Sequence, residues 1–273
     1  MVVLIPGASG GFGQVLSQLL NKHGMRVYGT SRNPDAQEAA DHVTMLAMDI
    51  SDEESVKRCV NTVVEREGRL DVVVNCINEL FIGGTEEESV EEVRYLFDTN
   101  VLGALRVFQA VLPTMRQQGS GTIVSMSSLG GVIAVPYIGA YTSAKFALEA
   151  LSEALYHEVR QDGIDVVIMQ PVAMHMERAS TGTHLHPVEN VSKNSPTEGM
   201  VIQMAKDTEA SKLTPEMVAQ RVFEVITSKK KPLRVPMDRA KVLGLVKRLA
   251  PQFVLNKILA DLVGTMKKNV RSP

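Results

Sequence analysis

Val2-Val-Leu-Ile-Pro6-Gly7-Ala-Ser-Gly-Gly11-Phe-Gly13-Gln-Val-Leu-Ser-Gln-Leu-Leu20 decides how the rest of the chain is read. Val2 opens a short apolar run of strand type. Gly7, Gly11 and Gly13 follow as a turn. From Gln14 the apolar residues recur with helical spacing. Strand, glycine turn and helix in this order make an anion site. Glycine admits positive φ and lets the backbone approach a pyrophosphate. The helix N-terminus adds free N–H groups and the positive end of a dipole. Ser9 and Phe12 lie in the same turn.

Outward from this turn, strand and helix patterns alternate. Residues 26–30, 43–48, 70–75, 122–126 and 164–170 read as strands. Residues 52–67 read as a helix with Ser51 as N-cap and Glu54 three residues on. Residues 89–117 form a long helical pattern, expected to bend near Pro113, and residues 140–160 form another. The alternation implies one α/β domain with a doubly wound parallel sheet and helices on both faces. Ligands then gather at the carboxyl ends of the strands. Ser9, Asn75 and Ser128 each fall just past such an end.

The chemistry is carried by Tyr141-Thr-Ser-Ala-Lys145, with Ser128 thirteen residues upstream. Four residues is about one helical turn, so Tyr141 and Lys145 share a face. A phenol, with its pKa near ~10, exchanges protons poorly at neutral pH unless a fixed cation stabilises the phenolate. Lys145 is the candidate cation. Ser128 is the candidate to hold a carbonyl oxygen against the phenol. Together they describe proton transfer to or from an alcohol or ketone oxygen.

These residues resemble the short-chain dehydrogenase/reductase family from residue 2 to about residue 175. Gly7, Gly11 and Gly13 match its G-x-x-x-G-x-G motif, and Ser128, Tyr141 and Lys145 match its catalytic residues. Asn100, in Phe97-Asp-Thr-Asn100, matches its proton-relay Asn. Asn75 matches the first Asn of its N-N-A-G motif. The resemblance implies a Rossmann-like sheet and hydride transfer between a nicotinamide and a carbonyl or alcohol carbon. It implies that Lys145 lowers the Tyr141 pKa and holds the nicotinamide ribose, and that Asn100 positions a relay water. It places Gly7, Ser9, Gly11, Phe12, Gly13, Asp49, Ile50, Asn75, Tyr141, Lys145 and Pro171 at the cofactor. At the end of the second strand Ser31 takes the position where an acid would select NAD, and Arg32 follows. A guanidinium suits a 2′-phosphate, so NADP is the expected cofactor. The competing reading of Arg32 is a surface charge paired with Asp35. The resemblance also implies a homodimer or homotetramer. The two long helices would form its four-helix interface, with Ala147, Ala150 and Ala154 allowing close approach. The branch it resembles most handles hydroxysteroids, retinol and acyl-glycerone phosphates. A lipophilic substrate is therefore expected, with Val135, Pro136, Ile138, Met174 and Met176 lining an apolar pocket.

The chain departs from the pattern at several points. Pro6 replaces a Thr. Cys76, Ile77 and Asn78 replace N-A-G, with Ile77 bulky near the adenosine half of the cofactor and Asn78 expected in the left-handed conformation of a Gly. After the sixth strand, Pro171-Val-Ala-Met-His-Met176 lacks the family's Gly and Thr. These departures support a competing reading, a cofactor-binding regulatory or scaffold protein without catalysis. An epimerase or dehydratase is a further alternative. Relatives of that kind carry a larger C-terminal substrate domain.

The 273 residues, 44% hydrophobic and 22% charged, suit a substantial α/β core. A net charge of −2 argues against general nucleic-acid affinity. Two cysteines, Cys59 and Cys76, form no disulfide framework and read as reduced thiols of a cytoplasmic protein. No run of 18 uncharged apolar residues suggests a membrane span, and a strand starting at Val2 leaves no room for a cleaved leader. Residues 179–207 lose periodicity, as functional or mobile segments do, and the resemblance implies that they form the family's substrate-covering lid. His175, His184 and His186 fall in or beside it without the geometry of a metal site, and no metal is expected. Residues 229–273 hold 12 Lys/Arg against 2 Asp/Glu. There Leu243, Leu245, Val246, Leu249, Phe253, Val254, Ile258, Leu259 and Leu262 alternate with Lys241, Lys247, Arg248 and Lys257. Two readings stand: a basic amphipathic surface for anionic membranes, or helices whose apolar stripe is covered by protein. The second is the one expected.

Overall fold

The computed structural model describes residues 1–34, 43–175, 185–189, 191 and 195–271. The apolar run after Met1 forms β1 (Val2–Ile5), and α1 (Gly11–Lys22) follows the glycine turn. Then come β2 (Arg26–Ser31), β3 (Thr44–Ala47), α2 (Glu53–Glu67), β4 (Val72–Asn75) and β5 (Leu80–Ile82). The middle of the chain forms α3 (Val90–Phe97), α4 (Gly103–Gln118), β6 (Gly121–Met126), α5 (Gly139–Val159) and β7 (Ile164–Gln170). The remainder forms β8 (Leu185–Pro187), α6 (Pro196–Glu209), α7 (Pro215–Thr227), β9 (Arg234–Pro236), α8 (Arg239–Leu249) and α9 (Gln252–Arg271).

Seven strands form one parallel sheet in the order β3-β2-β1-β4-β6-β7-β9. The alternation of side chains along β1 shows why both faces are covered. Val2 and Leu4 enter a core with α2, α4 and α5, through residues such as Val60, Phe108 and Leu148. Val3 and Ile5 enter a second core with α1 and α7, through Leu16 and Val222. Leu4 and Ile5 are fully buried, and truncating either to Ala costs about 2–5 kcal/mol. The expected doubly wound, Rossmann-like sheet is what the chain forms. β5 and β8 make a separate parallel pair, Leu80 opposite Leu185. They border a third apolar cluster that contains Tyr141.

Several local expectations are corrected. Asp52, not Ser51, caps α2, its carboxylate accepting from Glu54 N at 2.9 Å. Ser51 instead donates its hydroxyl to Asp49 Oδ1 at 2.7 Å. Both are short polar side chains competing for the same backbone. The long helix is interrupted not at Pro113, which lies exposed within α4, but by a π-turn at Asp98–Leu102 that carries Asn100. Such turns recur at functional sites. Part of 179–207 is structured. Ser195 caps α6, with Pro196 at its first position, so the polar cluster there marks a helix start. A Cβ on Gly199 would strike the Met266 backbone, so this glycine lets α6 and α9 pack closely.

The C-terminal stripe is covered only in part. Leu255 and Met266 are buried, whereas Val242, Leu245, Leu249 and Phe253 are exposed. The expected packing is against the domain or a partner subunit; the domain covers Leu243 and Val246 of α8 in part and leaves Leu245 and Leu249 exposed. Among the described residues no helix is long and apolar enough to cross a membrane.

Candidate active site

β6 ends at Met126, and Ser128 starts a 3-10 turn, its Oγ accepting from Gly130 N at 3.1 Å. Tyr141 enters from the first turn of α5. A Cβ on Gly130 would lie 3.0 Å from Tyr141 Cε1, so the glycine makes room for the ring. The Tyr141 phenol is hydrogen-bonded to Ser128. Lys145, one turn on and 1% exposed, donates Nζ to Met126 O at 2.9 Å. Its Nζ lies 5.6 Å from the Tyr141 ring centre. The three residues singled out in the sequence therefore meet in one buried cluster.

Buried bonds set how α5 sits on the sheet. Ser152 Oγ meets Ser125 Oγ of β6 at 2.9 Å. Glu149 accepts from Gln170 Nε2 of β7 at 2.9 Å and from Arg234 Nε of β9 at 2.9 Å. Arg234 also donates to Glu153 at 2.8 Å. These contacts join residues up to 85 positions apart, and the sequence carries no signal that pairs them.

Burial dominates the electrostatics. It pushes the Tyr141 phenol up to about 12, against the downward pull of the Ser128 hydrogen bond. It pushes the Lys145 amine down to about 8, while Glu149 and the Cys76 thiol act to raise it. The Lys145 amine donates one of its protons to a backbone carbonyl rather than to the phenol, and burial outweighs what lowers the Tyr141 pKa. At neutral pH the cluster is a protonated phenol beside a largely protonated amine.

Asn100 uses both polar atoms of its side chain on one backbone unit. Its Oδ1 accepts from Glu79 N at 2.9 Å and its Nδ2 donates to Glu79 O at 2.8 Å. It fixes the segment after β4 to the π-turn.

The glycine turn adjoins this cluster. Gly7 has φ +83°, and a Cβ there would lie 3.0 Å from Ile77 N. A Cβ on Gly13 would overlap Gly7 O. Gly10 caps α1 without any side-chain bond, and Gly11 and Phe12 open its first turn. Pro6 O accepts from Cys76 N at 2.9 Å, which joins the turn to the end of β4. Ile77 packs into the core beside α2 and α4, which accommodates its bulk. Asn78 is not left-handed, because the only positive-φ non-glycines described are Tyr137 and Asp238. Asn75 Oδ1 accepts from Ile77 N at 3.3 Å. Pro171 O accepts from Leu129 N at 2.9 Å and so holds the Ser128 turn, while Val172 fills the position of the missing glycine as a buried residue.

Arg32 is exposed just past β2, and Ser31 Oγ accepts from Asn33 N at 3.2 Å. Asp35 lies outside the described residues. The Asp49 carboxylate is held below its usual range, first by the Ser51 hydroxyl and amide and further by Arg32 and Arg106. The Ile50 side chain is buried against Gly103, leaving only its main chain for a ligand. Of the proposed apolar lining, Ile138 and Val135 join the Tyr141 cluster and Met174 joins the α1–α7 core, while Met176 lies outside the described residues. His184 is also outside them, and His175 Nδ1 meets Glu209 O at 3.2 Å. A cleft of about 460 Å³ beside Met1, Arg26, Glu67 and Asp71 opens at the opposite end of the strands. Its carboxylates are already engaged by Arg26, Tyr28 and Arg69.

Comparison with known proteins agrees with this fold. The family model for short chain dehydrogenases matches residues 1–183. A 3-ketodihydrosphingosine reductase of Bacteroides thetaiotaomicron is 41% identical over 170 residues, a match spanning 62% of each chain. A short-chain dehydrogenase structure from Streptomyces avermitilis superposes with a TM-score of 0.82 at 29% identity, covering 100% of this chain and 98% of that one. A Burkholderia cenocepacia structure in complex with NADP (TM-score 0.76, 19% identity, 94% and 96% covered) shares the fold. So does a Burkholderia phymatum structure in complex with NAD (TM-score 0.74, 21% identity, 90% and 92% covered). The chain belongs to the short chain dehydrogenase family of oxidoreductases.

Proposed function

We propose that the protein is an NADP(H)-dependent enzyme that interconverts a ketone or aldehyde with an alcohol on a lipophilic substrate. The observation that carries this reading is the buried Ser128–Tyr141–Lys145 cluster beside a glycine turn.

The residues present suit a dinucleotide phosphate. The α1 N-terminus has no side-chain cap, Gly13 lets the turn at Gly7 pack onto α1, and Arg32 is exposed beside a serine rather than an acid. Asn78 Oδ1 is buried past β4 without a hydrogen-bond partner, an acceptor that suits a hydroxyl. When bound, the cofactor supplies or accepts the hydride. Ser128 holds the carbonyl oxygen. Tyr141, protonated at neutral pH, delivers its proton to that oxygen. Lys145 keeps two of its three donors for ribose hydroxyls. It also places a positive charge within reach of the phenol oxygen as that oxygen becomes anionic. Asn100 fixes the π-turn and the segment after β4. The apolar cluster around Tyr141, drawn from β5, α3, α6 and α9, favours a lipophilic group near the reacting carbon.

Purified protein given NADPH or NADH and a panel of short- and long-chain ketones and aldehydes tests the reading. NADPH consumption that depends on the carbonyl and disappears in Tyr141→Phe is expected. Absence of turnover with every carbonyl, despite measured NADPH binding, would leave the non-catalytic reading instead.

A further inference from the structure

The outward face of α8 is unlike the rest of the surface. Val242, Leu245 and Leu249, at helical spacings of three and four, are 63%, 58% and 70% exposed. Phe253, at the start of α9, adds a ring that is 70% exposed. Scattered apolar residues on a surface are ordinary, but three along one helix face, with an exposed ring four residues on, are not.

The helix is not a frayed end whose exposure is accidental. Its inward face is fixed. Ala240 is 1% exposed. Lys247 Nζ donates to Val132 O at 2.6 Å and sits 4.2 Å from the centre of the Phe146 ring. Val132 belongs to the turn opened by Ser128, and Phe146 follows Lys145. The apolar ridge is thus held outward by contacts to the active-site turn. α8 also begins three residues past β9, whose register with β7 is parallel. It therefore lies at the carboxyl ends of the strands, the same end as Ser128.

Charge identifies what covers the ridge. Lys241 and Arg248 flank it on one side and Arg239 on the other, all exposed. The segment from residue 229 to 273 carries 12 Lys/Arg and 2 Asp/Glu, although the whole chain is at −2. We propose that the outward face of α8, with Phe253, is a docking surface for an anionic lipid membrane. The apolar ridge enters the headgroup–acyl boundary, and the flanking cations meet lipid phosphates. A second copy of this chain fits worse. A two-fold contact would set Lys241 and Arg248 against their own equivalents, which repel. Docking would bring the substrate end of the sheet to the bilayer. The proposal does not depend on which reaction the site performs.

Vesicle flotation of the full chain, with phosphatidylcholine alone or mixed with phosphatidylglycerol, tests this at low and at physiological salt. Binding to the anionic vesicles at both salts is expected, weaker at the higher one because screening shortens the reach of the charges. Replacing Lys241 and Arg248 with Glu should weaken binding by about thirtyfold or more. The triple variant Leu245→Ser, Leu249→Ser, Phe253→Ser should keep low-salt attraction and lose binding at physiological salt. Arg58→Glu, an exposed charge on α2, should bind as the wild type does. Circular dichroism and NADPH binding report whether each variant is folded, and the wild-type dependence on lipid and salt stands without any variant. Failure of the wild type to float at physiological salt overturns the proposal. So does a triple variant that floats like the wild type. A triple variant that sediments as a smaller species, with no vesicle binding by the wild type, assigns the ridge to a second copy. None of these readouts involves carbonyl turnover, so the reading of the reaction stands or falls separately.

Discussion

Lys145 Nζ donates to the carbonyl of Met126 at 2.9 Å, which ties the ammonium to the last residue of β6, two before Ser128. The strand that positions the oxygen-binding serine therefore also positions the cation. Burial holds this amine down to about 8 while Glu149 acts to raise it. A base with a lowered pKa loses its proton as pH rises through that value. The charge proposed to bind the ribose is present below about 8 and lost above it. The kcat/KM for NADPH, which reports groups of the free enzyme, should fall as pH passes through this region. Glu149→Gln removes the raising charge and should move the fall to lower pH. A limb that stays in place in Glu149→Gln would assign the titration to another group.

Tyr141→Phe removes the proposed proton donor and keeps the ring that fits beside Gly130. Turnover should drop at least about a hundredfold, within the usual contribution of general acid catalysis. NADPH affinity and melting temperature should stay near wild type. Ser128→Ala should reduce turnover less, because the phenol remains. Near-normal turnover in Tyr141→Phe would remove the tyrosine from the reaction.

Ser31→Asp with Arg32→Ile exchanges a phosphate partner for a repelling carboxylate at the end of β2. NADPH affinity should fall, NADH affinity should hold or rise, and the preference between them should invert. Titration of both cofactors by fluorescence checks this without a substrate. An unchanged ratio would mean that Arg32 does not read the 2′-phosphate.

Gly13→Ala puts a Cβ onto Gly7 O, backbone against backbone, where neither side can swing away. Overpacking of this kind costs about 1–3 kcal/mol, and the shifted turn should also weaken NADPH binding. Gly264→Ala is the contrasting variant. It lies within α9 with open space around it, and should gain about 0.5–1 kcal/mol from helix propensity. Thermal melts with and without NADPH separate the two effects. Equal stability of both variants would refute the packing argument.

What the sequence made legible was local. The glycine turn, the strand periodicities and the Tyr141–Lys145 spacing act over a few residues, and each led to the observed element. The interruption falls at Asp98–Leu102, which carries no glycine or proline to announce it, and not at Pro113, which lies inside α4. Ser51 and Asp52 are both good caps, and they are separated because Ser51 gives its hydroxyl to Asp49 while Asp52 accepts from Glu54 N. The Glu149–Gln170–Arg234 network was invisible, because its members are brought together by the sheet. The outward ridge of α8 was legible only in part for a related reason: periodicity reveals an apolar stripe, but not which side of the helix the fold covers.

The last expectation concerns self-association. Ala150 and Ala154 are exposed on α5, four residues apart, with Ala147 half-buried beside them. Their small side chains leave a shallow groove in which the same helix of a second copy can approach to about 8–10 Å. Tyr95 and Leu102, 45% exposed on α3 and in the π-turn, add apolar surface on the neighbouring helical layer. A stable pairing buries roughly 1,600 Å² in total, an area that two helices per protomer can supply. Under two-fold symmetry each substitution acts twice. Ala150→Arg with Ala154→Arg fills the groove and sets guanidinium groups against their own equivalents. The dimer should weaken by about a hundredfold or more, since every 1.4 kcal/mol of repulsion or lost packing is a factor of ten. Each protomer should still bind NADPH. Sedimentation velocity at micromolar protein should show a dimer or tetramer for the wild type and a smaller species for the variant. A wild type that sediments only as a monomer would refute the interface.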